Sequence, residues 1–148
     1  MHRFRLERPD AEHPGHDLAV ACFGEDLDAP PGDLVYGVSA DGIVVSHLDL
    51  YWKTIRIDQQ QVEVAAIGQV CTHPDYRGRG LATSLVEAAH DDARAQVPFA
   101  ALFGSPSFYG RLGYLETNLT EELGFLLCPL TDDLAAPIGY VELDGQRW

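Results

Sequence analysis

A buried strand, a glycine-rich loop and a helix follow one another in the middle of the chain, and this order constrains the fold most strongly. Val62 to Thr72 is dominated by Val, Ala and Ile with little alternation, as in buried strands. Pro74 ends the run, and Arg77-Gly78-Arg79-Gly80 follows. Leu81 to Gln96 then has helical spacing, with apolar residues on one face at positions 81, 85, 89 and 93. The segment therefore predicts an α/β or α+β domain with a mixed sheet.

The rest of the sequence predicts more strands than helices. Apolar and β-branched runs predict strands over Met1–Glu7, Leu34–Val38, Ile43–Ile57, Pro98–Phe103, Tyr114–Asn118, Leu123–Pro129 and Ile138–Leu143. Short helices are predicted over Asp17–Phe23 and Ser105–Leu112, the second with Ser105 as its cap, Pro106 in its first position and Gly113 as its stop. Asp28–Asp33 is a predicted loop, Ala40-Asp41-Gly42 a hairpin signal and Asp58–Gln61 a polar turn. At 148 residues and without a repeat, the chain is expected to form one domain, residues 1–148.

Composition argues against several classes of protein. The net charge of −13 disfavours nucleic acid as a partner and would attract a cationic substrate, but an acidic surface that serves solubility, or reflects genome composition or a salty habitat, is the stronger interpretation. No apolar run reaches the length of a membrane span, so a membrane partner is not expected. The basic N-terminus, Met1 to Asp10, lacks the apolar stretch of a secretory signal, and a cytoplasmic location is expected.

The three cysteines, Cys22, Cys71 and Cys128, predict neither a disulfide framework nor a metal site. They are odd in number and widely spaced, and the chain has no Cys-x-x-Cys pair. Buried free thiols are the simpler interpretation, and no metal cofactor is expected.

The Arg77–Thr83 loop resembles a phosphate-binding loop. Its spacing distinguishes loops that bind a dinucleotide, a nucleotide triphosphate or an acyl carrier such as coenzyme A. A dinucleotide fingerprint needs a third glycine where Thr83 stands and an acidic residue about 20 positions on, near Ala100. A triphosphate loop needs a Gly-Lys pair, which the chain lacks. Arg77-Gly-Arg-Gly-Leu-Ala82 fits the third type, Arg/Gln-x-x-Gly-x-Gly/Ala at a helix start. There the amides of Gly78 to Thr83 point at one spot at the positive end of the helix, where a pyrophosphate fits.

Two segments in this order resemble the GNAT family, the GCN5-related N-acetyltransferases. They are Ile67-Gly-Gln-Val-Cys-Thr-His-Pro-Asp-Tyr-Arg-Gly-Arg-Gly-Leu-Ala82 and Ser107-Phe-Tyr-Gly-Arg-Leu-Gly-Tyr114. The resemblance spans roughly Asp33 to Glu116. It implies a mixed, mostly antiparallel central sheet flanked by helices, and an enzyme that transfers an acetyl group from acetyl-CoA to a primary amine.

The same resemblance assigns roles to individual residues. Arg77, Gly78, Arg79, Gly80, Leu81, Ala82 and Thr83 would bind the pyrophosphate of coenzyme A. Backbone groups of Val70 and Thr72 would pair with the pantetheine arm, and the amide of Val70 or Cys71 would face the thioester oxygen. Tyr109 would be the general acid that protonates the leaving thiolate, since the pKa of a phenol is close to that of a thiol. Cys71 has no neighbouring charge to lower its pKa, so direct transfer is expected rather than a cysteine intermediate.

The general base is open between several candidates. Many family members carry a glutamate near the position of Gly68, and this chain does not. The alternatives are Glu63 and His47, together with Asp144, the terminal carboxylate and a base linked through solvent. A buried structural histidine and a solvated strand residue are the competing interpretations of His47 and Glu63.

The acceptor is also open. Val44–Leu48 with Gly68–Thr72 resembles the aminoglycoside 2′-N-acetyltransferases and the nodulation-type N-acyltransferases. The tail Gly139–Trp148 resembles their closing strand: Gly145 and Trp148 match, but Gln146 stands where an acid is expected. Asp132 and Asp133 are candidates to line an amine pocket. A cationic small-molecule or peptide amine is the expected acceptor, with a homodimer through the C-terminal strands. The alternative is a non-catalytic domain of the same fold that binds acyl-CoA or serves as an interaction domain.

Overall fold

The computed structural model describes residues 1–7, 15–24, 30–117, 124–131, 141–143 and 148. Its strands are β1 (His2–Glu7), β2 (Leu34–Ala40), β3 (Ile43–Ile57), β4 (Gln60–Thr72), β5 (Phe99–Phe103), β6 (Leu115–Glu116), β7 (Phe125–Pro129) and β8 (Val141–Glu142). Its α-helices are α1 (His16–Phe23), α2 (Leu81–Ala93) and α3 (Pro106–Tyr109), with 3-10 turns at Pro74–Tyr76 and Gly110–Leu112. Most strand pairs are antiparallel, which confirms the predicted mixed, mostly antiparallel sheet.

Two tight turns connect the three long strands. Asp41 and Gly42, with φ of 51° and 78°, join β2 to β3. Asp58 and Gln59, with φ of 49° and 69°, join β3 to β4. Positive φ at both central residues matches the right-handed twist of the flanking strands. These turns place β2, β3 and β4 side by side in chain order.

The described chain divides into two units. Unit 1 comprises Met1–Tyr51 and Gly68–Ala89. Within it β1 pairs with β2, and β2 with β3, both antiparallel. Leu18 and Ala19 of α1 are buried in one cluster with Cys71 of β4, and Cys22 and Val44 pack against them. Unit 1 therefore contains the end of β4, the glycine loop and the start of α2.

Unit 2 comprises Trp52–Ile67 and His90–Trp148. Here β4 pairs with β5 in parallel, Val64–Ile67 against Phe99–Leu102, and β5 pairs with β7 antiparallel. β6 pairs with β7, and β8 with β3. A buried cluster covers these strands, consisting of Ile55, Val64, Phe99, Ala101, Phe125, Leu127, Val141 and Leu143. The single domain over 1–148 stays a prediction.

The predicted strands and helices exist, and the differences lie at their ends. Gln60 and Gln61 belong to β4 and not to the turn, because two residues close this hairpin. Helix α2 ends at Ala93 instead of Gln96, since the amides of Gln96 and Val97 both donate to the carbonyl of Ala93 in a tightened final turn. Three positions of the predicted apolar face of α2, 85, 89 and 93, are fully buried, whereas Leu81 at the start of the helix is half-buried.

The second predicted helix is shorter than expected. It ends as an α-helix at Tyr109 and continues as the 3-10 turn to Leu112, which Gly113 closes with a φ of 96°. Ser105 is wrong as a side-chain cap: it precedes the helix, but its hydroxyl lies 2.7 Å from that of Ser107. Residues 28–29, 118, 123 and 138–140, where four predicted elements begin or end, lie outside the described residues.

Candidate functional site

Two glycines give the loop after β4 its shape. Gly78 and Gly80 have φ of 77° and 74°, in the left-handed region that side chains with a Cβ rarely adopt. A Cβ added at either would meet no heavy atom within 4 Å. Glycine is therefore required here by backbone conformation and not by crowding.

The loop leads into the open first turn of α2. The first backbone bond of this turn runs from the amide of Ser84 to the carbonyl of Gly80, at 3.0 Å. The amides of Leu81, Ala82 and Thr83 belong to the turn whose donors lack intrahelical acceptors. Because the helix dipole places partial positive charge at the same point, the turn has the donor set that a pyrophosphate needs.

The two arginines of the loop are exposed and contact its own backbone. Arg77 Nε donates to the carbonyl of Thr72 at 3.1 Å, and Arg79 Nη2 donates to the carbonyl of Asp75 at 3.4 Å. The Arg79 guanidinium also lies 4.8 Å from the centre of the Tyr76 ring. These contacts hold two positive charges beside the glycines.

The last residues of β4 carry one thiol and one hydroxyl. Burial, followed by the neighbouring Cys22, raises the pKa of the Cys71 thiol far above its usual range. The thiol is therefore protonated at neutral pH, which supports direct transfer over a cysteine intermediate. The Thr72 hydroxyl lies 2.9 Å from that of Ser46 on β3. These side-chain contacts tie the end of β4 to β3.

The sequence did not reveal an irregularity in β4 at Gln69. This residue has a φ of 49° inside the strand, although it is not glycine. Its carbonyl accepts from His47 Nδ1 at 3.0 Å, and its amide group lies 2.8 Å from the Tyr51 hydroxyl. That hydroxyl also lies 2.7 Å from the carbonyl of Pro30. Since a phenol has one proton, we assign it to Pro30 and turn the Gln69 amide so that its nitrogen donates to Tyr51.

His47 is fully buried under this irregularity. Nδ1 faces the Gln69 carbonyl and so carries a proton, while Nε2 lies 3.6 Å from Asp49 Oδ2. Asp49 also accepts from the Gly32 amide at 3.0 Å, and the backbone of Gly15 packs against the imidazole ring. Both ring nitrogens thus face protein groups. A structural role is consistent with this arrangement, and the role of His47 as base stays a prediction.

In unit 2, Tyr109 stands at the end of α3 with its ring against Gly104. A Cβ at Gly104 would lie 2.5 Å from Tyr109 Cε2, so the ring occupies the space that a side chain would need. Phe108 and Tyr114 contact the ring edge-on, with centroids 4.8 and 5.7 Å away. Burial raises the pKa of Tyr109, which keeps the phenol protonated at neutral pH.

Glu63, the second candidate base, is an exposed residue of β4 in unit 2. It lines two adjoining surface cavities of about 300 and 620 Å³. Trp52, Lys53 and Gln96 line the smaller cavity, and Pro98 and Phe99 the larger one. Its role as base stays a prediction.

Several candidates in the last 17 positions of the sequence lie outside the described residues. They are Asp132, Asp133, Asp144, Gly145 and Gln146. Trp148 is described, and its ring packs against Phe103 and Phe125 at centroid distances of 5.2 and 6.0 Å. The indole therefore contributes to the core of unit 2.

Comparisons with known proteins identify the class to which this fold and loop belong. The family model described as an acetyltransferase (GNAT) domain matches residues 27–116, more than half of the chain. The chain therefore belongs to the GNAT acetyltransferase family, as its sequence predicted. No curated protein sequence matches the chain significantly.

Solved structures of this family have the same fold. A GNAT acetyltransferase from Brucella melitensis in complex with acetyl-CoA superposes with a TM-score of 0.65 at 18% identity, covering 95% of this chain and 94% of that protein. The Escherichia coli protein YhbS in complex with CoA gives 0.60 at 22% identity, over 86% and 72%. A GCN5-related N-acetyltransferase from Kribbella flavida gives 0.50 at 28% identity, over 54% and 21%.

Some of these relatives are much longer than this chain. The chain spans a fifth to a third of the length of the Kribbella protein and of two other neighbours. Among the described helices, none combines the length and the apolar character needed to cross a membrane.

Proposed function

We propose that this chain transfers an acetyl group from acetyl-CoA to a primary amine by direct attack. The observation that carries the proposal is the Arg77–Thr83 loop, where two left-handed glycines precede the open first turn of α2. Such a turn binds a pyrophosphate through backbone amides, with Arg77 and Arg79 adding positive charge. The Brucella and Escherichia relatives, which were solved with acetyl-CoA and CoA, support the same co-substrate.

The end of β4 would bind the pantetheine arm as an added strand. Among the described residues, the pairing of β4 with β5 covers Val64–Ile67 and does not include Val70–Thr72. The Thr72 carbonyl already accepts from Arg77, so the Thr72 amide and the backbone of Val70 are the groups we assign to pantetheine.

The chemistry would run through one tetrahedral intermediate. The amine nitrogen attacks the thioester carbon, and the amide of Val70 or Cys71 donates to the oxyanion. The carbon–sulfur bond then breaks, Tyr109 gives its proton to the CoA thiolate, and the amine proton passes to a base. A half-buried phenol with a raised pKa suits this step because it is protonated when the thiolate forms.

An experiment with two variants can decide whether His47 or Glu63 is the general base. His47→Asn keeps an amide near the position of Nδ1 but cannot take a proton at neutral pH, and Glu63→Gln is nearly isosteric. We expect the variant that removes the base to lower kcat about 100-fold and to abolish the acidic limb of the pH profile. If each variant keeps the wild-type kcat and the acidic limb of the pH profile, neither residue is the base. The terminal carboxylate, Asp144 or solvent would then be the remaining candidates.

The net charge of −13 supports a cationic acceptor, because it would attract such a molecule. We propose a small-molecule or peptide amine, with aminoglycosides as one class to screen, and the cytoplasm as the place of the reaction. A homodimer through the C-terminal strands is part of the same proposal.

Calorimetric titration with acetyl-CoA tests the proposal, with NAD and ATP as controls. We expect saturable binding of acetyl-CoA alone, followed by release of CoA when amines are supplied. Tyr109→Phe should keep the acetyl-CoA affinity and lower kcat about 10- to 100-fold. Binding without turnover of any amine would indicate a non-catalytic acyl-CoA-binding domain, and a folded protein that does not bind acetyl-CoA would refute the proposal.

A further inference from the structure

A buried hydrogen bond joins helix α2 to the segment that follows the 3-10 turn. His90 Nε2 lies 2.7 Å from the hydroxyl of Tyr114, and their ring centroids are 5.3 Å apart. Tyr114 is 3% exposed and His90 is 7% exposed. Removing either partner would leave a buried polar atom unsatisfied, so the bond fixes the Tyr114 ring strongly.

Tyr114 in turn contacts Tyr109 in two ways. The Tyr114 amide donates to the Tyr109 carbonyl at 3.2 Å, and the two rings meet edge-on at 5.7 Å with an interplanar angle of 73°. Gly104 lies against another part of the Tyr109 ring. Movement of the Tyr114 ring would therefore remove one wall of the site that holds the Tyr109 ring.

We propose that His90 and Tyr114 are positioning residues that hold the Tyr109 phenol in its catalytic orientation. The inference rests on the proposed role of Tyr109 as general acid. Neither positioning residue needs to touch the substrate, because each acts through the packing of one ring on the next. A general acid that is displaced by about 1 Å can lose much of its contribution to the rate. Precise placement of the Tyr109 phenol would therefore explain why two polar side chains are buried behind it.

Burial is the main reason why the pair stays in its neutral form. Burial, and then Arg94, lower the pKa of His90 to about 4, while Asp91 opposes this shift. Burial, and then Cys128 and Tyr109, raise the pKa of Tyr114 well above 10. The imidazole and the phenol are therefore both neutral at the pH of catalysis, and the bond between them persists there.

The test combines kinetics with a direct probe of the Tyr109 ring. Protein labelled with 3-fluorotyrosine gives a 19F resonance for Tyr109, which is assigned by its loss in Tyr109→Phe. We expect Tyr114→Phe and His90→Leu to shift or broaden this resonance and to lower kcat about tenfold, with the affinity for acetyl-CoA unchanged. His90→Gln, whose amide reaches the place of Nε2, should retain the resonance and most of kcat.

A control variant separates positioning from the general effect of removing a buried hydroxyl, and a replacement variant is available for His90→Leu. Tyr36→Phe removes a hydroxyl from another buried tyrosine, which is 2% exposed, and should leave the Tyr109 resonance in place. If His90→Leu does not fold, His90→Asn replaces it, because its amide reaches the place of Nδ1 and not of Nε2.

The two proposals fail in different ways. The positioning inference would be overturned if the Tyr109 resonance did not move in folded Tyr114→Phe and His90→Leu, whatever their kcat. His90→Asn takes the place of His90→Leu in this comparison if the latter does not fold. A Tyr109→Phe enzyme that keeps the wild-type kcat would instead overturn the acid role. If the Tyr109 resonance still moved in the His90 and Tyr114 variants, the pair would position the Tyr109 ring but not a catalytic acid. The inference would then fail together with the acid role of Tyr109.

Discussion

At the scale of single residues, the candidate site depends on backbone conformation as much as on side chains. Gly78 and Gly80 adopt a φ that turns consecutive amides towards the start of α2. Gly104 has another role, because the Tyr109 ring fills the space of its missing side chain. Substitution at these positions therefore tests geometry without removing a functional group.

Gly80→Val should weaken acetyl-CoA binding by about tenfold or more. A β-branched residue at a φ of 74° costs about 1–2 kcal/mol, which the loop can avoid by leaving the binding conformation. Gly42→Val is the matched control, since Gly42 has a φ of 78° and equally open surroundings in the β2–β3 turn. Calorimetry should show that the control binds acetyl-CoA normally, and equal losses in the two variants would contradict this account of the loop.

At the scale of elements, side chains of β3 hold the irregular part of β4. The positive φ of Gln69 persists because His47 and Tyr51 bind its carbonyl and its amide. A strained residue of this kind costs about 1–3 kcal/mol unless its surroundings support it. The irregularity directly precedes Val70–Thr72, where we place the pantetheine arm.

Substitutions at Gln69 should separate strain from hydrogen bonding. Gln69→Ala and Gln69→Gly both lose the contact with Tyr51, but only glycine tolerates a φ of 49° without strain. We expect the glycine variant to be more stable than the alanine variant by about 1 kcal/mol in urea unfolding. A more stable alanine variant would show that β4 changes conformation when the side chain is removed.

The contact of α2 with Tyr114 should make stability depend on pH. The pKa of His90 falls from 6.5 to about 4 on folding, so the unfolded chain binds more protons between these values. The contribution of neutral His90 to the free energy of unfolding is complete above pH 6.5. It is lost as the pH falls towards 4, by about 3 kcal/mol at most. Urea unfolding of His90→Gln should show a shallower slope in this window than the wild type, and an unchanged slope would exclude His90 as its source.

At the scale of the whole molecule, the acidic composition is expected to affect the two proposed substrates differently. A net charge of −13 attracts a cationic amine and repels the phosphates of acetyl-CoA, except where Arg77 and Arg79 stand. We therefore expect the KM for a cationic acceptor to rise about tenfold between 20 mM and 500 mM salt, because salt screens the attraction. A neutral amine of similar size provides the comparison, and an equal salt effect on both would argue against steering by charge.

The sequence alone determined the features that depend on neighbours along the chain. Glycines 78 and 80, the apolar strand before them and the helical spacing after them identify a phosphate-binding turn, since its conformation and donors lie within a few residues. The Ser107–Tyr114 segment made Tyr109 the candidate acid through its resemblance to the family. The strands and a mixed sheet also followed from local patterns and turns, and the mostly antiparallel pairing was implied by the resemblance to the family.

Only the tertiary structure decided the features that join distant residues. Gln69 gives no sign of its left-handed φ, which depends on side chains that lie 18 and 22 positions away in the chain. The bond between His90 and Tyr114 joins residues 24 positions apart, and the space at Gly104 has meaning only once the Tyr109 ring lies against it. Such contacts depend on packing and burial, which a single sequence does not encode position by position. The local pattern therefore determined the class of protein, and tertiary packing decided which residues support its candidate acid.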